Sequence, residues 1–131
     1  MKRLYLIRGL PGSGKTELAM RLTDYHVAAD HFLCNCTTRS PQLYADALQW
    51  CLQRVEDLMK EQVEWRESVV AVHNTFLRIE YMGPYMRLAH KHHYSVSVIE
   101  CKSQFGSVHN VSQSTLAAMA KEWEPYHITV Q

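Results

Sequence analysis

Residues 9–16 read Gly9-Leu10-Pro11-Gly12-Ser13-Gly14-Lys15-Thr16, and these positions decide the fold. They match the pattern G-x-x-x-x-G-K-[ST] at every fixed position. Each part has a physical reason. The glycines let the backbone turn tightly and aim its N–H groups at an anion. A helix starting near Lys15 adds unpaired N–H groups and the positive end of its dipole. Lys15 carries a point charge to the β- and γ-phosphates, and the Thr16 hydroxyl suits Mg²⁺. A bare glycine turn is the alternative for such a short pattern. The flanks argue against it: Leu4 to Ile7 is an apolar run that reads as a buried strand, and Lys15 to about Tyr25 is amphipathic, with Leu18, Ala19 and Leu22 on one face. Open parallel sheets bind ligands at such a strand-to-helix junction.

The same alternation continues outward. Val27-Ala28-Ala29 predicts a short second strand ending at Asp30. Residues 42–63 place Leu43, Ala47, Cys51, Val55, Leu58 and Met59 at steps of three and four, which predicts a long amphipathic helix. Val69-Val70-Ala71-Val72 is apolar throughout, as a central parallel strand is. Pro84 suits the first turn of a helix running to about His93. Val96, Val98 and Ile99 predict a fourth strand. Residues 112–122 predict a helix with Leu116 and Met119 inward, and His127 to Val130 a fifth strand. The pattern predicts an α/β fold: a P-loop NTPase with a mostly parallel sheet of about five strands and helices on both faces.

The chain has 131 residues, which fits a single domain over 1–131. Fourteen Lys+Arg against thirteen Asp+Glu leave a net charge of +1, which argues against a nucleic-acid coat or a polybasic membrane surface. It leaves room for a nucleic-acid end held in a cleft. No apolar run approaches the ~18 residues of a membrane span, and the apolar stretch after the charged opening reads as too short for a signal-peptide core. Cys51 and Cys101 fall in helical and strand patterns and read as buried free thiols. A cytoplasmic protein is expected.

Asp30 is the second candidate. At a strand's C-terminal edge it shares an edge with the phosphate loop. There it can take the proton of a hydroxyl attacking the γ-phosphate, or hold the metal through water. Spacing alone leaves an equal case for Asp30 as a helix or turn cap.

Taken together, several motifs add to this. They are the loop 9–16, Ala29-Asp30-His31-Phe32, Asn74-Thr75-Phe76, Glu80-Tyr81-Met82-Gly83-Pro84-Tyr85, Val108-His109-Asn110-Val111 and Glu122-Trp123-Glu124. In this order the chain resembles the small P-loop ATPases related to polynucleotide kinase, often phage-encoded and of AAA-type ATP-binding character. The resemblance spans nearly the whole chain. It implies a P-loop kinase fold, ATP with Mg²⁺, and a nucleic-acid 5′ end or a nucleotide as phosphate acceptor. It implies Lys15, Asp30 and Arg39 as catalytic residues, with Asp30 the general base for a 5′-hydroxyl and Arg39 its assisting arginine. It implies Thr16 and Asp30 near the metal.

Two departures stand out. The end of the third strand, usually acidic in P-loop kinases, is His73, followed by Asn74-Thr75. Neutral imidazole is a poor partner for Mg²⁺, which prefers oxygen. Residues 103–112 contain no Arg or Lys, and no arginine follows Arg87. Lys102, Lys121 and His109 lack arginine's fixed fork, and losing an arginine finger costs about 10³-fold or more in rate. The chain is therefore a slow kinase, a kinase that takes an arginine from a neighbouring subunit of a homo-oligomer, or a nucleotide-binding regulatory or interaction protein. Simple hydrolysis ranks below these, because no Gln or Glu is placed to orient water.

The remaining clusters are weaker. His31, Cys34 and Cys36 lack the second ligand pair of a zinc site. His90, His92 and His93 suit a helix C-terminus. Arg78, Arg87 and Lys91 line either a phosphate groove or a solvated face. Trp50, Trp65 and Trp123 read as packing residues, and Trp123 with Tyr126 sits in a stretch that can cover an adenine.

Overall fold

The computed structural model describes residues 1–33, 40–61, 68–102 and 112–126. Four strands form a parallel sheet: β1 (Lys2–Gly9), β2 (His26–Val27), β3 (Ser68–Asn74) and β4 (Ser95–Cys101), in the order β2-β3-β1-β4. Around them lie α1 (Lys15–Leu22), α2 (Ala29–Leu33), α3 (Pro41–Glu61), α4 (Gly83–His92) and α5 (Gln113–Glu122), with a 3₁₀ turn at Ile79–Met82. The central pair runs in register from Lys2 opposite Ser68 to Arg8 opposite Asn74. Among the described residues, no helix is long and apolar enough to cross a membrane.

The period-two alternation of the strands sorts their side chains between two layers. Leu4, Leu6, Val70 and Val72 face one way and pack with Ala47, Cys51, Val55, Met59, Met82, Tyr85 and Ala89 of α3, the 3₁₀ turn and α4. Ile7 and Ala71 face the other way and pack against Ala19 of α1, with Leu18, Leu22 and Tyr5 around them. Helices thus cover both faces, as the alternating pattern predicts.

The differences from expectation lie at element ends. The second strand is His26–Val27 rather than Val27 to Ala29. The Ala29 N–H donates to Asn74 Oδ1 at 2.8 Å instead of continuing the ladder, so the chain turns into α2 there. Asp30 therefore sits in the first turn of a short helix, not on a strand end. The long helix spans Pro41–Glu61. Residues 62 and 63 of its predicted span, and the predicted fifth strand at 127–130, lie outside the described residues. Leu116 and Met119 are half-buried, as α5's pattern predicts, and Ser112 caps that helix by accepting from the Thr115 N–H at 3.2 Å. Cys51 is a buried free thiol and Cys101 a half-buried one.

β1 runs on past its apolar run through Arg8, whose side chain is fully buried. Its guanidinium donates to the Phe76 carbonyl at 3.0 and 2.6 Å, to Leu77 O at 3.2 Å and to Glu100 Oε1 at 3.1 Å. The Trp123 ring covers it at 4.0 Å. Glu100 Oε1 also accepts the Tyr126 N–H. One buried cation thus ties β1 to β4, to the segment after β3 and to the chain beyond α5. It also holds Phe76, whose φ of 47° lies in the left-handed region that bulky residues avoid. Removing one partner of such a pair leaves the rest uncompensated, so Arg8→Ala is expected to cost about 3 kcal/mol. Thermal and denaturant unfolding measure it; a loss below about 0.5 kcal/mol, the size of an ordinary surface substitution, contradicts the account.

Candidate nucleotide site

The phosphate loop leaves β1 at Gly9, whose N–H donates to Thr75 O at 3.3 Å. Gly12 and Gly14 adopt φ of 82° and 91°, and Gly14 is the N-cap of α1. Those left-handed positions turn the backbone around an anion-sized hollow at the helix N-terminus. Ser13 Oγ is buried without a hydrogen-bond partner among the described residues. Lys15 Nζ folds back on the loop, donating to Gly9 O at 2.9 Å and Leu10 O at 3.0 Å. Burial pulls its pKa below the ordinary lysine value, while Cys101 and Asp30 favour its charge. An orphaned hydroxyl, a desolvated ammonium and a helix start in one cradle fit a phosphate group. No apolar or cationic ligand matches that donor set.

Space at the loop is tightest at Gly9. A Cβ there collides with Ser13 Oγ and sits 2.8 Å from the Cys101 carbonyl. Gly9→Ala is therefore expected to cost about 2 kcal/mol of stability, the usual scale of overpacking, and to weaken nucleotide binding at least about 10-fold, since the loop must move. Melting curves with and without Mg-nucleotide test this, and a variant that binds like the wild type contradicts it.

Asp30, Thr16 and the phosphate loop meet at the C-terminal edge of the sheet. Asp30 is exposed on α2 and close enough to Lys15, His31 and Tyr44 to bias their charges. The bond from Ala29 to Asn74 fixes the turn that presents it. The Thr16 hydroxyl lies 3.4 Å from His73 Nδ1. His73 is the penultimate residue of β3 and is buried. Desolvation, then His26, His31 and Lys15, push its pKa down to about 3, so it is neutral at ordinary pH. Arg39 lies outside the described residues, as do Cys34, Cys36, Trp65 and the 103–111 segment with His109.

Of two cavities, the first borders the loop and the second lies beyond the end of β3. One of about 370 Å³ is lined by Leu10, Ser13, Cys101, Lys102, Trp123 and Pro125 among others. The other, about 640 Å³, lies among α3, the end of β3, the 3₁₀ turn and the start of α4. It is lined by Tyr44, Leu48, Asn74, Thr75, Phe76, Tyr81, Tyr85 and neighbours. Tyr85 Oη is buried without a partner among the described residues, and burial raises its pKa well above the usual phenol value.

The other candidates scatter. Lys91 and His92 share Glu56 of α3, at 3.0 and 2.8 Å, so the histidine-rich helix end is a packing contact. Arg78 lies 3.9 Å from Glu80. Trp50 packs on Phe32, and Trp123 on Arg8.

Sequence reasoning missed two things. One is Arg8, whose partners are 68 to 92 residues away. The other is that His31, weighed only with Cys34 and Cys36, converges instead with His26 and His73. The signal for the second was His73 itself, a ligand-type residue where oxygen chemistry was expected.

Comparison with known proteins agrees with this geometry. A model of the AAA domain family matches residues 4–105. Human NEDD4-binding protein 2 is 29% identical over 139 residues, which takes in 94% of this chain and 8% of that protein. The chain thus spans under a tenth of the length of that curated relative. Among solved structures, the Pnkp1/Rnl/Hen1 RNA repair complex superposes with a TM-score of 0.68 at 16% identity, over 93% of this chain and 44% of the other. Kti12 of Chaetomium thermophilum in complex with ADP-AlF3 gives 0.63 at 15% identity, over 93% and 80%. A gluconokinase of Sinorhizobium meliloti 1021 gives 0.60 at 12% identity, over 94% and 75%. At these identities the structural matches show a shared P-loop kinase-like fold.

Proposed function

The chain belongs to the AAA domain family, and from that premise we propose that it is an ATP-dependent phosphotransferase that phosphorylates a hydroxyl, with a polynucleotide 5′-hydroxyl as the favoured acceptor. We place the whole chain, 1–131, in one domain that does this. The observation that carries the reading is the loop at 9–16: two left-handed glycines, an orphaned Ser13 hydroxyl and the half-buried Lys15 at the start of α1, with Asp30 presented from the next strand-to-helix turn.

In this reading Gly9 to Thr16 hold the triphosphate. Backbone N–H groups take the phosphate oxygens, and Lys15 exchanges the Gly9 and Leu10 carbonyls for the β- and γ-phosphates. Thr16 and, through water, Asp30 are the residues to hold Mg²⁺, which when bound offsets charge on the β- and γ-oxygens. Asp30 accepts the proton of the acceptor hydroxyl. The hydroxyl oxygen bonds to the γ-phosphorus, the bond to the β-phosphate oxygen breaks, and ADP leaves. Arg39 is the arginine proposed to assist.

The cavity beside Trp123 suits the nucleotide base. The larger cavity, with Tyr44, Phe76, Tyr81 and Tyr85, suits an acceptor nucleobase, because every base has a face to stack on an aromatic ring. The RNA repair complex among the structural relatives points the same way. A net charge of +1 leaves few spare cations, so a nucleic-acid acceptor is held at one end rather than along its length.

One observation favours a second reading, a nucleotide-binding regulator with little turnover. The neutral, buried His73 occupies the strand end where kinases of this fold carry a metal-supporting acid. An acceptor screen separates the two. The protein is incubated with Mg-ATP labelled at the γ-phosphate and with 5′-hydroxyl oligonucleotides, nucleotides and small sugars. Labelled 5′-phosphate on the oligonucleotide supports the kinase. Nucleotide binding with no product on any acceptor supports the regulator.

A further inference from the structure

His26 opens β2, His31 lies in α2, and His73 is next to last in β3. Their rings meet in a triangle. Centroids lie 5.5 Å apart for His26–His31, 5.1 Å for His26–His73 and 5.5 Å for His31–His73, and no pair is stacked face to face. One ring nitrogen of each lies within 4.8 Å of the other two. We propose that these three histidines form a site for a divalent transition metal of the Zn²⁺ class, with its fourth position open to water, directly beside the phosphate loop.

The geometry needs little change. Zn–N bonds of about 2.0–2.1 Å set nitrogens about 3.4 Å apart in a tetrahedron. His26 Nδ1 and His73 Nε2 are already 3.1 Å apart. His31 must close by no more than about 1.4 Å, since its nitrogen lies within 4.8 Å of the other two, and it is an exposed residue on a short helix. Its Nδ1 takes the Ala28 N–H at 3.3 Å, a long bond that ligation can replace.

The surroundings suit ligation as well. His73 Nδ1 faces the Thr16 hydroxyl. With the proton on Nδ1 donated there, the Nε2 lone pair points at the other two rings. A ligating imidazole usually has such an outer hydrogen bond, which fixes its tautomer and aim. Three imidazoles select zinc, cobalt or copper ions over Mg²⁺, which prefers oxygen. The site is thus chemically separate from a Mg²⁺ held by Thr16, yet one hydrogen bond away from it. It rests on the three side chains alone and does not require the phosphotransferase reading.

The test uses the full chain, stripped of metal with a chelator, then titrated with Co²⁺ as an optical probe and with Zn²⁺ in competition, without nucleotide. One equivalent of Co²⁺ is expected to give the intense visible bands of a tetrahedral site, and Zn²⁺ to abolish them. His31→Ala and His73→Ala are each expected to weaken binding about 100-fold or more, since loss of an outer-shell partner alone costs up to that much. His90→Ala and the double variant Cys34→Ser, Cys36→Ser are expected to leave binding intact. His31→Ala removes an exposed side chain, so its fold, checked by circular dichroism, keeps the test valid even if His73→Ala unfolds. No saturable Co²⁺ binding by the wild type overturns the proposal. So does binding that survives His31→Ala, or bands that vanish with the cysteine substitutions.

Discussion

Replacing Lys15 by alanine is expected to raise the dissociation constant for Mg-ATP about 100-fold, since two charge-assisted hydrogen bonds to phosphate are worth roughly 3 kcal/mol together. The ammonium rests on the Gly9 and Leu10 carbonyls, half-buried and with its charge disfavoured by burial. Those carbonyls are a poor substitute for a triphosphate, so the cation is poised to gain from binding. The same substitution is expected to change the stability of the nucleotide-free protein little, because it removes a costly charge along with its two bonds. The upward shift in melting temperature that Mg-ATP gives the wild type is expected to vanish in the variant. Calorimetry and melting curves measure both effects. An affinity within about threefold of the wild type, roughly 0.7 kcal/mol, is incompatible with phosphate binding at this loop.

Asp30→Asn is expected to separate binding from chemistry. General-base assistance contributes about 10²–10⁴-fold to rate, and asparagine keeps the shape but cannot take the proton. Transfer to the acceptor is expected to fall by that factor. The nucleotide dissociation constant is expected to stay within about threefold, because the loop and Lys15 supply the main contacts. Position supports this division: Asp30 is exposed in the first turn of α2, held at the cleft by the bond from Ala29 to Asn74. An Asp30→Asn protein with full transfer activity ends the assignment. A protein that loses stability and binding together puts Asp30 in the capping role that spacing alone allows.

The legible part of the fold was the part encoded locally. An eight-residue loop pattern between an apolar run and an amphipathic run specifies its strand, turn and helix without help from distant residues, and α3 is readable from its stripe alone. The strand ends were not legible, because distant partners decide them. A charge at Arg8 reads as the end of a strand, yet β1 continues because the carbonyls of Phe76 and Leu77 and the Glu100 carboxylate receive the guanidinium. His73 reads as the end of the third strand and Asn74 as the residue after it, yet Asn74 too belongs to β3 and both are buried. β2 stops early because a side chain from β3, Asn74, takes the next N–H. The site divides in the same way. Its phosphate half is contiguous in sequence and was readable. The histidine triangle joins positions 26, 31 and 73, and only the parallel pairing of β2 with β3 brings them together.

The central claim is that the loop at 9–16 holds a triphosphate whose γ-phosphate faces Asp30. A crystal structure of the wild-type chain with Mg²⁺ and a non-hydrolysable ATP analogue tests it most directly. The account predicts Lys15 Nζ moved off the Gly9 and Leu10 carbonyls onto the β- and γ-phosphate oxygens, Thr16 Oγ1 turned from His73 to the metal, and the Asp30 carboxylate facing the γ-phosphate across an acceptor-sized gap. An analogue bound elsewhere, or bound at the loop with Lys15 still on those carbonyls and Asp30 turned away, contradicts it.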